Sequence, residues 1–215
     1  MHHLCNVNII QLTTNDNLMF LTPKFKRIQS TSELNEFSNN YCKASGLPIP
    51  KMYLHNPNNN VFGIYFNKQL IGGFVLGNST SFRTIELFAN KNNRANLRQQ
   101  LGHLTEYTEI CCFYIDGNFR TKTRINFFVW LTMTYALKRY GKKNFLFGTC
   151  SRSLARLYAQ TPHSIPIHQD SIDDKETFIF KAKRNKCILG MLEIMIYKFK
   201  RTLKLKKRRG HLTAV

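Results

Sequence analysis

Hydrophobic and polar residues alternate along the chain with two different periods, and the changes of period divide it into elements. Asn17–Arg27 is rich in Leu, Phe and Met and predicts a first strand, and Ser30–Ala44 begins with a capping box and predicts a helix. Val61–Phe66 and Leu70–Leu76 alternate as strands do and are separated by three polar residues, which predicts a hairpin.

The middle of the chain combines a strand, a basic loop and a long helix. Ser81–Phe88 predicts a further strand or an extended loop, and Asn93–Leu101 predicts a basic helix. Thr108–Ile115 is a strongly apolar strand, and the polar, basic segment Gly117–Arg124 follows it. Ile125–Tyr140 predicts a helix with apolar residues around nearly its whole circumference, so we expect it to be buried against a sheet.

The third part of the chain continues the alternation of strands and helices. Asn144–Thr149 predicts a strand, Ser151–Gln160 a helix and Ser164–Ile167 a short strand. Asp170–Lys175 predicts an acidic turn, and Thr177–Lys183 a final strand. This order predicts an α/β (α+β) domain with a mixed sheet and a strand–loop–helix unit at its middle.

The C-terminal segment differs in character, so we place one domain at 1–184 and an amphipathic helix with a basic tail at 185–215. Lys198–Arg209 holds eight basic residues in twelve positions. Three interpretations of 187–209 stay open: a helix docked on the domain with a solvated tail, a peripheral contact with a membrane or an acidic partner, or a nucleic-acid arm. The apolar stripe of the helix consists of Cys187, Ile188, Met191, Leu192, Ile194, Met195 and Tyr197.

Charge and cysteine content narrow the choice of partners and compartment. The formal net charge is +20, of which the segment from Lys186 onward carries +8, so the body is basic too and attracts polyanions. The six cysteines form no C-x-x-C pair and no zinc pattern, which predicts reduced thiols, no metal site and a cytosolic protein. Cys111 and Cys112 are neighbours in a strand and are expected to point to opposite faces. Neither a secretory leader nor a membrane-spanning run is apparent, which predicts a cytoplasmic location, with peripheral membrane contact as the open alternative.

The segment 114–126 places a strand end, a basic loop and a helix start in succession. The first N–H groups of a helix lack partners within the helix and favour an anion. Arg120, Lys122 and Arg124 add full positive charges at this point. The pattern predicts a phosphate or pyrophosphate site at the edge of the sheet.

Four stretches resemble one known superfamily. Ile115–Arg120 resembles the end of the fourth strand in the GNAT superfamily of N-acetyltransferases, and Arg120–Ile125 falls where that family binds the pyrophosphate of its acyl donor. Ser151–Tyr158 resembles the family's helix that ends in a Leu-Tyr pair, and Phe66–Phe74 resembles its hairpin. The resemblance covers roughly residues 17–184.

This resemblance implies a GNAT-like fold, with a mixed, mostly antiparallel sheet, flanking helices and splayed strands four and five. It also implies an N-acyltransferase that moves an acyl group, a long chain included, to the amine of a small molecule, amino acid or peptide by direct attack. The donor would be acyl-CoA or an acidic acyl carrier protein, which brings the acyl group on phosphopantetheine. The donor is then a co-substrate, and no cofactor is tightly bound.

The family's roles carry over to particular residues of this chain. Tyr158 matches the general acid that protonates the leaving thiolate. Glu109 is the first candidate for the general base, ahead of Glu106 and Asp116, and a chain of water molecules is the alternative. Backbone N–H groups near Cys112–Tyr114 would polarise the thioester carbonyl. The donor-binding set is Cys112, Phe113, Tyr114, Ile115, Arg120, Lys122, Thr123 and Arg124.

The chain departs from the family at the anion loop, where Thr123 and Ile125 stand in place of two glycines. Those glycines let a backbone approach pyrophosphate closely, so a carrier with a single phosphate becomes the second version of the donor. Two further functions stay open: a basic nucleic-acid-binding module and a catalytically inactive GNAT-fold scaffold. Nucleic acid is the less favoured partner, because Phe127, Phe128 and Trp130 are expected to be buried. The pocket for the acceptor is expected from residues 30–60 and 80–106.

Overall fold

A computed structural model describes residues 23–160, 163–172 and 174–197 and contains a seven-stranded sheet. The strands lie in the order β1-β2-β3-β4-β5-β7-β6, and every neighbouring pair is antiparallel except β4 and β5, which are parallel. The mixed, mostly antiparallel sheet predicted from the sequence is therefore confirmed. The strands are β1 Lys24–Ile28, β2 Asn59–Phe66, β3 Gln69–Gly77, β4 Tyr107–Ile115, β5 Asn144–Thr149, β6 Ile165–Ile172 and β7 Lys175–Lys183.

Helices cover both faces of this sheet. We call the side with α1 to α4 the α1 face and the side with α5 to α7 the α5 face; each face buries its own apolar clusters against the strands. The helices are α1 Thr31–Ser45, α2 Lys51–Leu54, α3 Arg83–Glu86, α4 Lys91–Leu101, α5 Thr123–Tyr140, α6 Arg152–Gln160 and α7, residues 184–197.

Local sequence signals account for α1. The hydroxyl of Ser30 accepts a hydrogen bond from the Glu33 N–H at 3.3 Å, as the capping box predicts. At the other end Gly46 has a φ of 74°, and its N–H donates to the carbonyl of Cys42 at 2.7 Å. A left-handed residue at this position favours glycine, which explains why the helix ends here.

The segment Ser81–Phe88 contains a short helix, α3, so the predicted strand or extended loop is wrong. Phe82 stands at the N-cap and its side chain caps nothing. The missing acceptor comes from β4, where the carboxylate of Glu109 accepts from the N–H of Arg83 at 2.9 Å and from the N–H of Thr84. The same carboxylate also accepts from the hydroxyl of Tyr53 at 2.5 Å.

Two strands differ in extent from their predictions. β6 continues to Ile172 and pairs Asp170 with Thr177 of β7, so the predicted acidic turn begins too early. β6 lies at the edge of the sheet and most of its side chains are partly or fully exposed, which explains its polar, turn-like sequence. β1 is described from Lys24 onward, and the earlier part of the predicted first strand lies outside the described residues.

The sequence of the long helix α5 predicts burial around nearly its whole circumference, and this prediction is wrong. Val129, Trp130 and Ala136 are buried, but Phe127 is 45% and Tyr135 49% exposed. Phe127 is therefore not among the buried aromatic residues that the sequence predicts. The sheet covers one side of the helix, so apolar residues on its other side face solvent.

Helix α7 packs on the α5 face, where Cys187, Met191 and Met195 join the apolar cluster of α5 and β5. Its outer side exposes apolar side chains, among them Leu189 and Ile196. The boundary predicted at 184/185 lies where β7 ends and α7 begins, and the basic run Lys198–Arg209 lies outside the described residues. No helix within the described ranges has both the length and the apolar character needed to cross a membrane.

The hydrogen bonds of Glu109 lead to a first prediction, on stability. Glu109→Ala leaves the buried N–H groups of Arg83 and Thr84 without an acceptor and leaves the Tyr53 hydroxyl only Sγ of Cys111, at 3.1 Å. We therefore expect the free energy of unfolding to fall by about 3 kcal/mol or more. Glu106→Ala, in the 3₁₀ turn just before β4, removes an exposed ion pair with Lys143 and a long hydrogen bond of 3.4 Å from Nδ2 of Asn144, and should change the free energy of unfolding by about 0.5 kcal/mol or less. Urea unfolding of both variants measures the difference, and equal losses would contradict the anchoring role of Glu109.

Candidate active site

Two irregularities in β4 lie side by side. Its parallel ladder with β5 runs from the pair Tyr107–Asn144 to the pair Ile110–Phe147 and then stops, although β4 continues to Ile115. On its other edge the register with β3 shifts by one, because Cys112 and Phe113 together oppose Phe74. This is a β-bulge, and Cys112 takes a φ of 52° within it. The splay of strands four and five predicted from the sequence is confirmed.

The bulge also changes where the neighbouring thiols point. Cys111 and Cys112 both belong to the apolar cluster of the α1 face, and their Sγ atoms are 3.6 Å apart. The prediction that they point to opposite faces is therefore wrong, because the positive φ at Cys112 interrupts the alternation of a regular strand. The cysteines of the described part of the chain are all free thiols.

A cavity of about 520 Å³ occupies the space where β4 and β5 part. Tyr41 and Arg83 line it from the α1 face, and Trp130, Tyr158 and Met191 line it from the α5 face. The lining side chains in the described ranges include the cations Arg83, Arg120 and Lys175 but no Asp or Glu. Its strand walls are Ile110, Cys111, Cys112, Phe113, Tyr114 and Ile115 from β4 and Phe147, Gly148 and Thr149 from β5.

The basic loop after β4 is tied down by side-chain hydrogen bonds. Nε of Arg120 donates to the carbonyl of Ile115 at 2.8 Å, and Nδ2 of Asn126 donates to the carbonyls of Arg120 at 2.5 Å and Lys122 at 3.3 Å. Asn126 was not singled out from the sequence, since its role depends on how the loop folds back. Nζ of Lys122 lies 4.5 Å from the centre of the Phe119 ring.

The loop places the start of α5 next to the cavity between β4 and β5. Thr123 begins the helix, and Lys122 at the N-cap makes no side-chain cap hydrogen bond. Arg120 lines the cavity, whereas Lys122 and Arg124 are not among its lining residues. Helix N–H groups and two or three cations at one point form the kind of site that an anion prefers.

Ile125 stands where the resembling family has its second loop glycine. Its side chain is buried with Ile64, Ile71, Ile115 and Val129. The side chain is thus directed into the apolar core. It does not occupy the solvent side of the loop, where an anion would lie.

Tyr158 lines the cavity from α6. Its ring meets those of Phe147 and Phe180 edge to face, with centroids 5.2 Å and 5.6 Å apart. Burial, and after it the thiol of Cys187, raises the pKa of Tyr158 above its ordinary value. The phenol therefore keeps its proton through the neutral and mildly alkaline range and can act as a donor there.

The three carboxylates considered as a base lie elsewhere. Glu109 is fully buried and its oxygens are occupied by the donors of α3 and Tyr53. Glu106 forms an ion pair with Lys143 at 3.3 Å, and Asp116 accepts from the Asn118 N–H at 2.9 Å. None of the three lines the cavity.

Two lining groups of the cavity were missed in the sequence. Arg83 gives no signal, being one basic residue in a segment without a motif. It nevertheless lies in the range 80–106 from which we predict the acceptor pocket. His163 lines the cavity with Nε2 3.2 Å from Oε1 of Glu193 in α7, a pairing across thirty residues that spacing alone does not suggest.

Comparisons with known proteins bear on the fold. No family model matches the sequence, and no curated protein matches it. Among solved structures, FeeM, an N-acyl amino acid synthase from uncultured soil microbes, is similar with a TM-score of 0.56 at 13% identity, over 76% of this chain and 92% of that one. An uncharacterized protein from Bacillus halodurans is similar with a TM-score of 0.51 at 9% identity, over 82% and 91%. A GNAT family acetyltransferase from Elizabethkingia anophelis with acetyl-CoA bound has a TM-score of 0.43 at 14% identity, over 75% and 97%.

The chain has the GNAT fold. The parting of β4 and β5 and the bulge in β4 are the features of this GNAT fold that form the cavity. At such low identities the likeness concerns the fold, and the chemistry has to be argued from the side chains.

The anion site leads to a second prediction. Inorganic pyrophosphate should raise the melting temperature of the protein, because a ligand that binds only the folded state stabilises it. We expect the double variant Arg120→Gln, Arg124→Gln to lose most of that shift. Arg94→Gln, Arg98→Gln removes the same charge from α4 on the α1 face, where both arginines pair with Glu86, and should keep the shift. Equal shifts in both double variants would show that binding is unspecific.

Proposed function

We propose that the protein is an N-acyltransferase that moves an acyl group from a phosphopantetheine thioester to an amine by direct attack. The observation that carries this is the cavity, whose lining residues come from both faces of the sheet at the point where β4 and β5 separate. A donor that enters on the α5 face and an acceptor that enters on the α1 face would meet there. Both reactants are then oriented without a covalent enzyme intermediate.

The donor would bind by its anionic end and by its thioester. The phosphate lies at the start of α5, near Arg120 and Arg124, and the pantetheine arm follows β4 into the cavity. Backbone N–H groups near Cys112–Tyr114 polarise the thioester carbonyl, because the bulge takes part of β4 out of its ladder with β3. The acyl chain then lies among the apolar side chains of the α5 face, which include Trp130 and Met191.

The reaction balances without a redox step. The nitrogen lone pair of the acceptor forms the new C–N bond, the C–S bond breaks, and the electron pair leaves with the sulfur. The hydroxyl of Tyr158 supplies the proton for the thiolate, and the acceptor nitrogen gives up a proton that water carries to solvent and back to the phenolate. The thiolate departs into the same apolar surroundings, which raise its proton affinity as well.

The general base of this proposal is water. The lining of the cavity in the described ranges holds no carboxylate, and Glu109 is committed to α3. We assign Glu109 a structural role for this reason. The amine then reacts as the free base, whose fraction grows with pH.

Tyr158 is the subject of the third prediction. Tyr158→Phe should lower kcat by roughly 10²-fold, the usual scale for a general acid, and leave the stabilisation by donor unchanged. In the wild type kcat/KM should rise with pH up to the pKa of the acceptor amine. It should not fall near pH 10, because burial raises the pKa of Tyr158 and keeps it protonated. Unchanged turnover in Tyr158→Phe would remove the residue from the mechanism.

The choice of donor is the subject of the fourth prediction. Intact-mass analysis of products with acyl-CoA and acyl carrier protein, each with short and long chains, tests the activity itself. With a carrier as the true donor, kcat/KM should exceed that with CoA and fall steeply with ionic strength, because an acidic carrier is steered by the basic body. Absence of acyl transfer from every donor, together with no donor-induced stabilisation, would favour an inactive scaffold.

A further inference from the structure

Arg83 carries a positive charge into the wall of the cavity. It is the first residue of α3, is 6% exposed and lines the cavity from the α1 face. Its guanidinium lies 5.3 Å from the centre of the Tyr41 ring, and Nη2 donates to the carbonyl of Pro48 at 2.8 Å. These two contacts orient the guanidinium and leave most of its donors uncommitted.

No carboxylate of the described residues forms an ion pair with Arg83. The Nε atom of Arg83 is buried and has no hydrogen-bond partner among the described residues. Glu109 is near, but its oxygens accept from the backbone N–H groups of Arg83 and Thr84 and from Tyr53. A buried guanidinium is ordinarily paired with an anion, so an unpaired one beside a cavity points to an anionic ligand.

The other charged residues of the lining also favour an anionic ligand. Lys175 lies at the α1 end of the cavity, where its Nζ donates to the carbonyl of Ser45 at 2.6 Å. No Asp or Glu lines the cavity in the described ranges, so no carboxylate of the lining pairs with Arg83 or Lys175. Arg120 belongs to the start of α5 on the other face and is the partner for the donor's phosphate. The α1 end of the cavity therefore retains an unused cation.

We propose that the acceptor is an amine that also carries a carboxylate, as an amino acid does, and that Arg83 binds this carboxylate. The proposal rests on the proposed function and specifies its substrate class. Holding the carboxylate at Arg83 directs the neighbouring amine along the cavity toward the thioester on β4. Arginine suits the task because its planar fork matches a carboxylate with two parallel hydrogen bonds.

Turnover with matched acceptors provides the main test. The proteinogenic amino acids are compared with their carboxamides, which keep the amine and the side chain but lack the negative charge. We expect kcat/KM of the wild type to favour the best amino acid over its amide by at least about tenfold. Arg83→Gln should reduce this ratio to about one, mainly through KM, and Arg83→Lys should retain part of it. Arg98→Gln, at an exposed ion pair on α4, is the control and should keep the wild-type ratio.

An ω-carboxyacyl donor distinguishes the source of the carboxylate. If Arg83→Gln impairs transfer of a succinyl group but not of a butanoyl group, and the ratio of acid to amide acceptors stays unchanged, the anion belongs to the donor and the proposal is wrong. Turnover of amino acids and amides at equal rates by the wild type would also overturn it. The ratio in the wild type decides the question even if Arg83→Gln fails to fold.

A binding experiment separates this proposal from the acyltransferase proposal. Calorimetry compares N-dodecanoylglycine with N-dodecanoylglycinamide, neither of which requires turnover. We expect the acid to bind at least about tenfold more tightly, with the difference lost in Arg83→Gln. If the acid binds in an Arg83-dependent way but no acyl transfer occurs, the acyltransferase proposal is wrong and the carboxylate site is supported. If acyl transfer occurs but the acid and the amide bind with equal affinity, the carboxylate site is wrong and the acyltransferase proposal is supported.

Discussion

The hydrogen-bond ladder between β4 and β5 lasts for four residue pairs and then stops, and the cavity depends on that interruption. Beyond Ile110 the two strands diverge, so β4 presents an edge of backbone groups inside the protein. Such groups cost free energy unless a ligand or water bonds them. The bulge at Cys112 disturbs the opposite edge at the same height. An apolar slot at the point where β4 leaves its ladder with β5 suits a ligand whose own carbonyl has to be polarised.

A buried carboxylate stabilises the structure just before the strands separate. Glu109 precedes Ile110, the last residue of β4 that pairs with β5, and binds α2 through Tyr53 and α3 through two N–H groups. Desolvation of a lone carboxylate costs several kcal/mol, and three donors offset that cost. Because α3 has four residues and no capping side chain of its own, Glu109 also fixes the place of Arg83. Glu109, which the sequence suggests as a base, thus determines the geometry of the α1 end of the cavity.

The sequence predicts the elements whose signals are local. Ser30 and Gly46 mark both ends of α1, and the alternation of β2 and β3 marks the hairpin. Prediction from the sequence fails where an element depends on a residue distant in the chain. Helix α3 is an example, because its N–H groups are capped by Glu109, which lies 26 and 25 residues after Arg83 and Thr84. The bulge at Cys112 is equally hidden, since a one-residue shift in register leaves no trace in composition.

The candidate site shows the same division. The strand-to-helix unit and Tyr158 are recognisable because their residues are contiguous in sequence. Arg83 and His163 are not, because separate segments of the chain bring them to the cavity. Glu193, the partner of His163, lies thirty residues further along the chain. The sequence predicts that α5 is buried on all sides, whereas one side is exposed. The pattern of apolar residues does not reveal how much of a helix the sheet covers.

The cations that line the cavity lie toward its two ends. Arg120 lies at the end toward α5, Arg83 and Lys175 lie at the end toward α1, and the middle is formed by β4, Phe147 and Trp130. In a centre of low polarity, N–H dipoles act on a developing oxyanion more strongly than they do in water. The cations at both ends favour reactants whose anionic groups lie away from the reacting carbon. A phosphorylated donor arm and an amino acid would both meet that requirement, the donor at the basic start of α5 and the amino acid at the unpaired guanidinium of Arg83.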